Sequence, residues 1–443
     1  MIGLLIHAAI ATPQFELESQ SYIYPSSYWE QRTLGTFSLT QDHWTNELRV
    51  LHEVTNQKHH VQLQGWELYY TKRLGNVMLG IGNQVIRWGQ LDLLSDLNSI
   101  NGTDQRFGPT IKPQWATIPS ASIRLTHTFQ DWSTSLTWLP ISAQDVISWI
   151  GTPWGILSNE NVDTLLNEAQ TWSGDLITES WIRDVLRSVQ ETLPNRSLNI
   201  FPAEQPIDYG DIGFRIGKDT MAYSSHIYTS WMRSRRPLAR LNPDLVRFVK
   251  EERLPNSLEF DVINEILEEP IQITHPRQFL VGMDVSTTLS IFGVRAETCF
   301  VSNKVRPMEY MQGSTRPYLS GAIALDYAFD MNVLMLETKV FSVLEPVSNP
   351  WLEANQSIQI AGIGQFSLPY SFQLQLTGQY DTALRDGLIQ GILSRRLTKN
   401  WAASLQAMML HGPESDNPFT YSSGILGQWR EYDHLSLRIQ WNP

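Results

Sequence analysis

Cysteine is nearly absent from this sequence. Cys299 is the only one in 443 residues, so no intrachain disulfide and no cysteine-based zinc site can form, and a buried structural thiol is its expected role. Positive charge is scarce as well. Lys and Arg number 33 against 45 Asp and Glu, a net charge of −12 that excludes the clustered basic surface nucleic acid requires. The one basic run, Arg233, Arg235 and Arg236, reads as a solvated loop or a contact to anionic lipid headgroups. Long hydrophobic runs are missing too: nowhere do about 20 apolar residues follow one another, which excludes an ordinary transmembrane helix. Nor is there a linker. Gly, Pro, Asn and Asp punctuate the whole chain, so residues 12–443 read as a single domain.

Catalytic motifs are also lacking. There is no G-x-S-x-G elbow, P-loop, H-E-x-x-H or dinucleotide fingerprint, and "GIG" at 80–82 and 362–364 lies inside strand-like sequence. His59-His60 could not easily share a metal from one strand, because adjacent side chains point to opposite faces, and a surface turn is the simpler reading. A Ser/His hydrolase on the lipid face would have to recruit Ser225, His127 or His226 with no motif to guide it. No enzyme activity, catalytic residue, metal or cofactor is therefore assigned.

What is present is a period of two. In "YSFQLQLTGQY", Tyr370, Phe372, Leu374, Leu376 and Tyr380 alternate with amides and hydroxyls, and the pattern recurs at 211–216, 292–297, 325–329 and 435–441. The N-terminal "MIGLLIHAAIA" fits a secretory signal over 1–11. An exported chain with strands of about 9–11 residues, very short turns and long loops matches a transmembrane antiparallel β-barrel in the outer membrane of a Gram-negative-type cell. About 16 strands are expected, within a range of 14–18. Reading 420–430 and 433–441 as strands leaves the C-terminus on the outer side, so either one of those two strands is misread or the N-terminal strands are misphased.

Aromatics near strand ends, among them Trp29, Tyr69, Tyr70, Trp138, Trp231, Trp401 and Trp441, suit interfacial girdles. The long connections fall at 89–120, 140–206 and 234–275, and two carry helical patterns, over 175–193 and in two pieces over 242–269. Those apolar stripes can fold back over the barrel mouth or dock a partner.

The charges Arg124, Asp211, Arg215, Asp284, Arg295, Glu297, Asp326 and Arg438 all fall in phase with the polar side of their strands. Facing lipid they would cost several kcal/mol, so a lumen lining is expected. They can pair across the lumen, set the field felt by a solute, or do both.

One stretch breaks the texture. The strand leading to Trp88-Gly89 gives way to polar sequence from Asp92 to Arg106. Gln84 and Trp88 share the face opposite Val77, Leu79, Ile81 and Val85, so they are expected to point inward, with Gly89 releasing the chain from the wall. The polar run then constricts the lumen, Asp104 and Arg106 pairing with wall charges; an ordinary outer loop is the alternative.

"LGNVMLGIGNQVIRWGQLDLLSDLNSINGTDQR" resembles the signature of a family of uncharacterised outer-membrane barrels, domain of unknown function 1302. In that family a strand of the type "lrvGrQvv.WG" precedes a polar "lNp.D.r" segment. Gln84, Trp88, Gly89, Asn101, Asp104 and Arg106 fall on matching positions, and Trp115–Pro140 resembles the hairpin that follows. Asn83 stands where the family usually has Arg, and the chain ends Trp-Asn-Pro rather than in an aromatic residue. The resemblance implies a barrel working beside an inner-membrane exporter of hydrophobic molecules or another periplasmic protein. Outer-membrane lipid, lipopolysaccharide and the barrel-assembly machinery are its other expected partners. The expectation is an outer-membrane channel or export porin for a small or hydrophobic solute; a non-transporting scaffold gripping a partner through its helical loops is the alternative.

Overall fold

The computed structural model describes residues 14–24, 29–41, 43–55, 59–106, 108–110, 116–147, 155, 210–251, 259–269, 271–413 and 424–441. Eighteen strands form one closed sheet, following chain order from Gln14–Ile23 to His434–Trp441. The first and last pair antiparallel, Leu17 opposite Trp441 and Ile23 opposite Leu435, so no edge remains. Among the described residues two short antiparallel strand pairs stand apart from the wall sheet, Leu238–Leu241 with Ile271–Thr274 and Gly102–Thr103 with Thr117–Ile118.

Alternation explains the wall. Ile227, Met283, Leu336 and Leu437 are exposed on the outer face, whereas His226, Asp284, Glu337 and Ser436 at the alternate positions are buried. A closed antiparallel sheet with an apolar outside crosses a membrane, because every backbone polar group is paired within the wall. An even strand number is that of single-chain bacterial barrels, and the protein belongs in the outer membrane of a Gram-negative-type cell. Exposed aromatics girdle both rims: Trp44, Trp132, Phe292 and Trp401 toward the tight turns, Trp29, Trp138, Trp231 and Phe279 toward the long loops.

Eighteen is the upper end of the expected range, two above the expected 16. Residues 424–432 are not a strand; they hold the short helical turns Ile425–Gln428 and Arg430–Tyr432. Ile425, Trp429 and Tyr432 recur at helical spacing and pack on Tyr22, Tyr24, Met408 and Leu410, which a strand could not do from one face. The strand beside His434–Trp441 is Trp401–His411. With that correction Gln14 and Trp441 both stand at the end of the barrel that carries the tight turns. Several of these turns have positive φ, at Gly75, Gln130, Ser290 and Asp330, as two-residue hairpin loops require. Tyr370, expected in a strand, lies in the Pro369–Ser371 turn and is fully exposed. His59 and His60 are not in a turn but open the strand His59–Leu74, opposite Val54 and Glu53.

The 234–275 connection holds helices Pro243–Lys250 and Phe260–Glu268, with Val246, Phe248 and Ile266 buried. The helix expected over 175–193 and the signal expected over 1–11 lie outside the described residues.

Candidate functional site: a segment folded into the lumen

The strand Val77–Gln84 ends four residues before Trp88. Gly82 has φ +132, and any side chain there would collide with the Leu68 backbone. Beyond Gln84 the ladder is replaced by side chains. Val85 N–H donates to Glu67 Oε1 at 2.8 Å, Ile86 N–H donates to Asn101 Oδ1 at 3.2 Å, and Asn101 Nδ2 returns to the Ile86 carbonyl at 2.5 Å. The chain therefore turns inward at Val85, which lines an interior cavity instead of facing lipid. Gln84 is buried inside the wall and donates to Ser122 Oγ at 2.8 Å.

From there the segment lies along the inside of the barrel. Ile86, Trp88, Leu97 and Ile100 form one cluster with Leu139, Tyr228, Met232, Leu280, Cys299, Val301, Tyr318, Phe341 and Val343. Trp88 packs on Tyr228 with ring centroids 5.3 Å apart. Wall glycines make room: a side chain at Gly213 would strike the Trp88 ring, and one at Gly282 would strike Leu97. This part of the wall is apolar on its inner face as well as its outer one, unlike the uniformly polar lining the alternation implied. The inward segment must bury its own apolar side chains, each worth roughly 1.5–3 kcal/mol, and the wall meets them in kind.

Polar fastening is just as extensive. Gly89, at φ +83, donates its N–H to Tyr228 Oη at 3.3 Å. Glu297 accepts the N–H groups of Gln90 and Leu91 and the Ser95 hydroxyl, the last two at 2.8 and 2.7 Å. Glu337, fully buried, accepts Asp92, Leu93 and Leu94 N–H at 2.9, 3.0 and 2.8 Å. Successive amides wrapped on one carboxylate are strong charge-assisted hydrogen bonds. Arg295 adds ion pairs to Asp92 and Asp326, both at 2.8 Å. Asp96 reaches Lys304 at 3.0 Å, Lys339 at 3.6 Å and the Tyr318 hydroxyl at 2.9 Å. Burial pushes the Asp96 pKa up, but the two ammonium groups outweigh it and hold the carboxyl well below its usual range.

Trp88, Gly89, Asp92, Arg295, Glu297 and Asp326 are thus brought together. Asp104 and Arg106 pair with each other at 2.7 Å, while Thr103 and Gln105 are tied to the next long connection through Asp145 and Val146. The remaining charges sit elsewhere on the inner face. Asp284 meets His226 at 2.9 Å and accepts the Tyr228 hydroxyl, Asp211 pairs with Arg235 at 2.7 Å, and Arg438 pairs with Glu18 at 2.8 Å. Arg124 and Arg215 form no ion pair among the described residues. His226 faces inward, and His127, on the outer face beside exposed Leu125, is separated from Ser225 by the two strands Trp132–Ile141 and Asp211–Asp219, so these residues do not come together as a Ser/His pair on the lipid face.

Two of the cavities among the described residues lie near this segment. One of about 250 Å³ lies toward the long loops, lined by Gln105, Lys304, Arg306, Lys339, Glu353 and Asp381 among others. Another of about 620 Å³ lies beside the first six wall strands, lined by Glu16, Glu47, Arg49, Glu67, Arg87 and Arg124 among others. Glu337, Asp96, Lys304 and Lys339 were not singled out from the sequence, although Glu337 and Lys339 alternate with exposed Leu336 and Val340 as lumen residues should.

No family model matches the chain, and no curated protein matches it. Solved structures do resemble it along almost its whole length. Pseudomonas aeruginosa OccK2 (OpdF) in complex with glucuronate is 9% identical, covering 98% of this chain and 97% of its own, with a TM-score of 0.46. Pseudomonas aeruginosa OccK10 (OpdN) is 9% identical over 98% of this chain and 99% of its own, with a TM-score of 0.49. Acinetobacter baumannii OccAB3 is 7% identical over 97% and 99%, with a TM-score of 0.46. All three scores fall below 0.5, and no property of the site follows from them.

Proposed function

We propose that this protein is an outer-membrane channel that lets a small polar solute cross passively, with the 85–106 segment as its constriction. The observation that carries this reading is the fastening of that segment inside the wall by Glu297 and Glu337, with charged cavities left open beside it. A plug meant only to seal the barrel would gain nothing from cavities lined by both signs of charge; a solute path would. In this reading Gln84, Trp88, Gly89 and Asp92 define the narrow zone, Asp104 and Arg106 its far side, and Arg124, Asp211, Arg215, Asp284, Arg295, Glu297, Asp326 and Arg438 set the lumen field. Charge of both signs on the lining favours a polar cargo over a hydrophobic one.

Kinship with domain of unknown function 1302 belongs to the same proposal, carried by the Gln84 to Arg106 motif, and so does work beside an inner-membrane exporter. Purified protein in planar bilayers is the test. Discrete conductance steps are expected, enlarged by Trp88→Ala and by shortening 92–106. A silent bilayer, or steps unchanged by both alterations, would overturn the reading.

A further inference from the structure

The basic run Arg233, Arg235 and Arg236 does not act as one patch. Arg235 pairs with Asp211 at 2.7 Å and Arg236 with Glu353, whereas Arg233 is still on its wall strand, Tyr223–Arg233. Along that strand Trp231 is exposed and Met232 buried, so Arg233, two residues beyond Trp231, falls on the outer face. On the neighbouring strand, Arg277–Leu289, Phe279 is exposed and Gln278 buried, which puts Arg277 on the outer face as well. The register sets Arg233 directly opposite Arg277. Like charges at opposed positions of two strands destabilise the pair unless an anion lies over them.

Beneath this pair lies a level apolar row. Trp138 stands opposite Ile212, Ile212 opposite Trp231, and Trp231 opposite Phe279, so four adjacent strands present exposed side chains at one height. The row runs about 14 Å around the wall, and the arginines stand two residues, roughly 7 Å, above it toward the long connections. Asp211, buried at the same rim, accepts the Arg233 main-chain N–H at 3.1 Å. Arg277 Nη1 donates to the Gly210 carbonyl at 2.9 Å and to Asp211 at 3.3 Å, which fixes its guanidinium at the rim. His275, just ahead of the Arg277 strand, registers the sign of the field. Burial pushes its pKa down to about 4, and Arg235 and Arg233 add to the shift against the hydrogen bond to the Ser234 carbonyl.

An anionic lipid meets both features at once. Phosphate oxygens match the paired N–H donors of guanidinium, and acyl chains lie on the aromatic row beneath. Barrels of this kind carry their long connections on the outer side of the membrane. We propose that Arg233 and Arg277, above Trp138, Ile212, Trp231 and Phe279, form a site on the outer wall for the phosphate headgroup of an outer-leaflet glycolipid of the lipopolysaccharide type. The site is separate from the lumen and stands whether or not the barrel conducts.

Native mass spectrometry of the detergent-solubilised barrel tests it, with diphosphorylated lipid A, the same lipid A stripped of phosphate, and inorganic phosphate as probes. The expected result is a tightly held diphosphorylated lipid A, weakened about tenfold in Arg233→Gln and in Arg277→Gln. Trp231→Ala should weaken it too, because the ring carries the chains but no charge. Arg395→Gln, at an exposed arginine beside Phe372 on the opposite rim, should leave it unchanged. Arg277→Gln also gives up the contact to Asp211, so Arg233→Lys and Arg277→Lys guard against misfolding: each keeps the charge, should fold, and should bind with intermediate strength. Absence of bound lipid A, equal binding of the lipid without phosphate, or an equal loss in Arg395→Gln overturns the site. Full displacement of lipid A by an equimolar amount of inorganic phosphate also overturns it, because a headgroup held without its chains marks a free-phosphate site.

Discussion

Single residues decide how closely the inward segment meets the wall. Gly213 is the plainest case. Its backbone is ordinary strand, so a larger residue is not strained in itself, yet a Cβ there would strike the Trp88 ring. Gly213→Val should therefore displace Trp88, destabilise the barrel by about 1–3 kcal/mol and enlarge the conductance as Trp88→Ala does. A valine variant with unaltered melting and conductance would mean that Trp88 does not rest there. Glu353 acts in the long connections at the mouth, where it joins Arg236 and Arg306, the second at 2.5 Å. Burial opposes its ionisation, but the two guanidinium groups prevail and lower its pKa from 4.5 to about 2. A carboxyl whose folded pKa is depressed stabilises fully above its unfolded value and loses that contribution as pH falls through the folded one. The difference in melting temperature between wild type and Glu353→Gln should thus be widest above about pH 4.5 and should close toward pH 2. A gap that stays constant over that window would refute the pairing.

At the scale of the element, the 85–106 segment is held by two wall carboxylates that collect its amides. A neutral amide side chain cannot accept the same set, and hydrogen bonds to a charged group contribute about 1.5–3 kcal/mol each. Glu297→Gln and Glu337→Gln should each loosen the segment by about 2 kcal/mol, raising hydrogen exchange at the Gln90–Leu94 amides roughly 30-fold without collapse of the barrel ladder. Exchange at those amides equal to wild type would show that the carboxylates are bystanders. This element also marks where sequence reading reached and where it stopped. Alternation marks Arg295, Glu297 and Asp326 as inner-face residues because they fall between the outward positions Val294, Ala296, Leu325 and Tyr327 of their strands. Glu337 and Lys339 carry the same signal, but Phe341 and Val343 follow in the same phase and obscure it. Those apolar inner residues make sense only once Trp88 and Leu97 lie against them, a long-range contact that period-two patterning cannot encode. The sequence points to Gly89 as the exit from the wall, but the ladder ends at Gln84 because Glu67 and Asn101 capture the next two amides, and neither capture is local in sequence.

At the scale of the whole molecule, closure by an even number of strands leaves Gln14 and Trp441 at the rim that carries the tight turns, opposite the long connections. Outer-membrane barrels keep short turns in the periplasm and long loops outside. Orientation is therefore open to chemistry on intact cells. Single cysteines introduced at Met331 and Thr398 occupy tight turns, and ones at Ser348 and Arg240 occupy long connections. Cys299 is buried and should stay silent as background. A membrane-impermeant maleimide should label the Ser348→Cys and Arg240→Cys variants in whole cells, and the Met331→Cys and Thr398→Cys variants only after the outer membrane is opened. The reverse pattern would invert the barrel and put the 250 Å³ cavity on the periplasmic side, so that a solute from outside would meet the Arg124 side of the lumen first. Labelling of all four positions in intact cells would sink the membrane-spanning assignment itself, because the exposed belt that includes Ile227, Leu336 and Leu437 has no occupant other than lipid to separate the two rims.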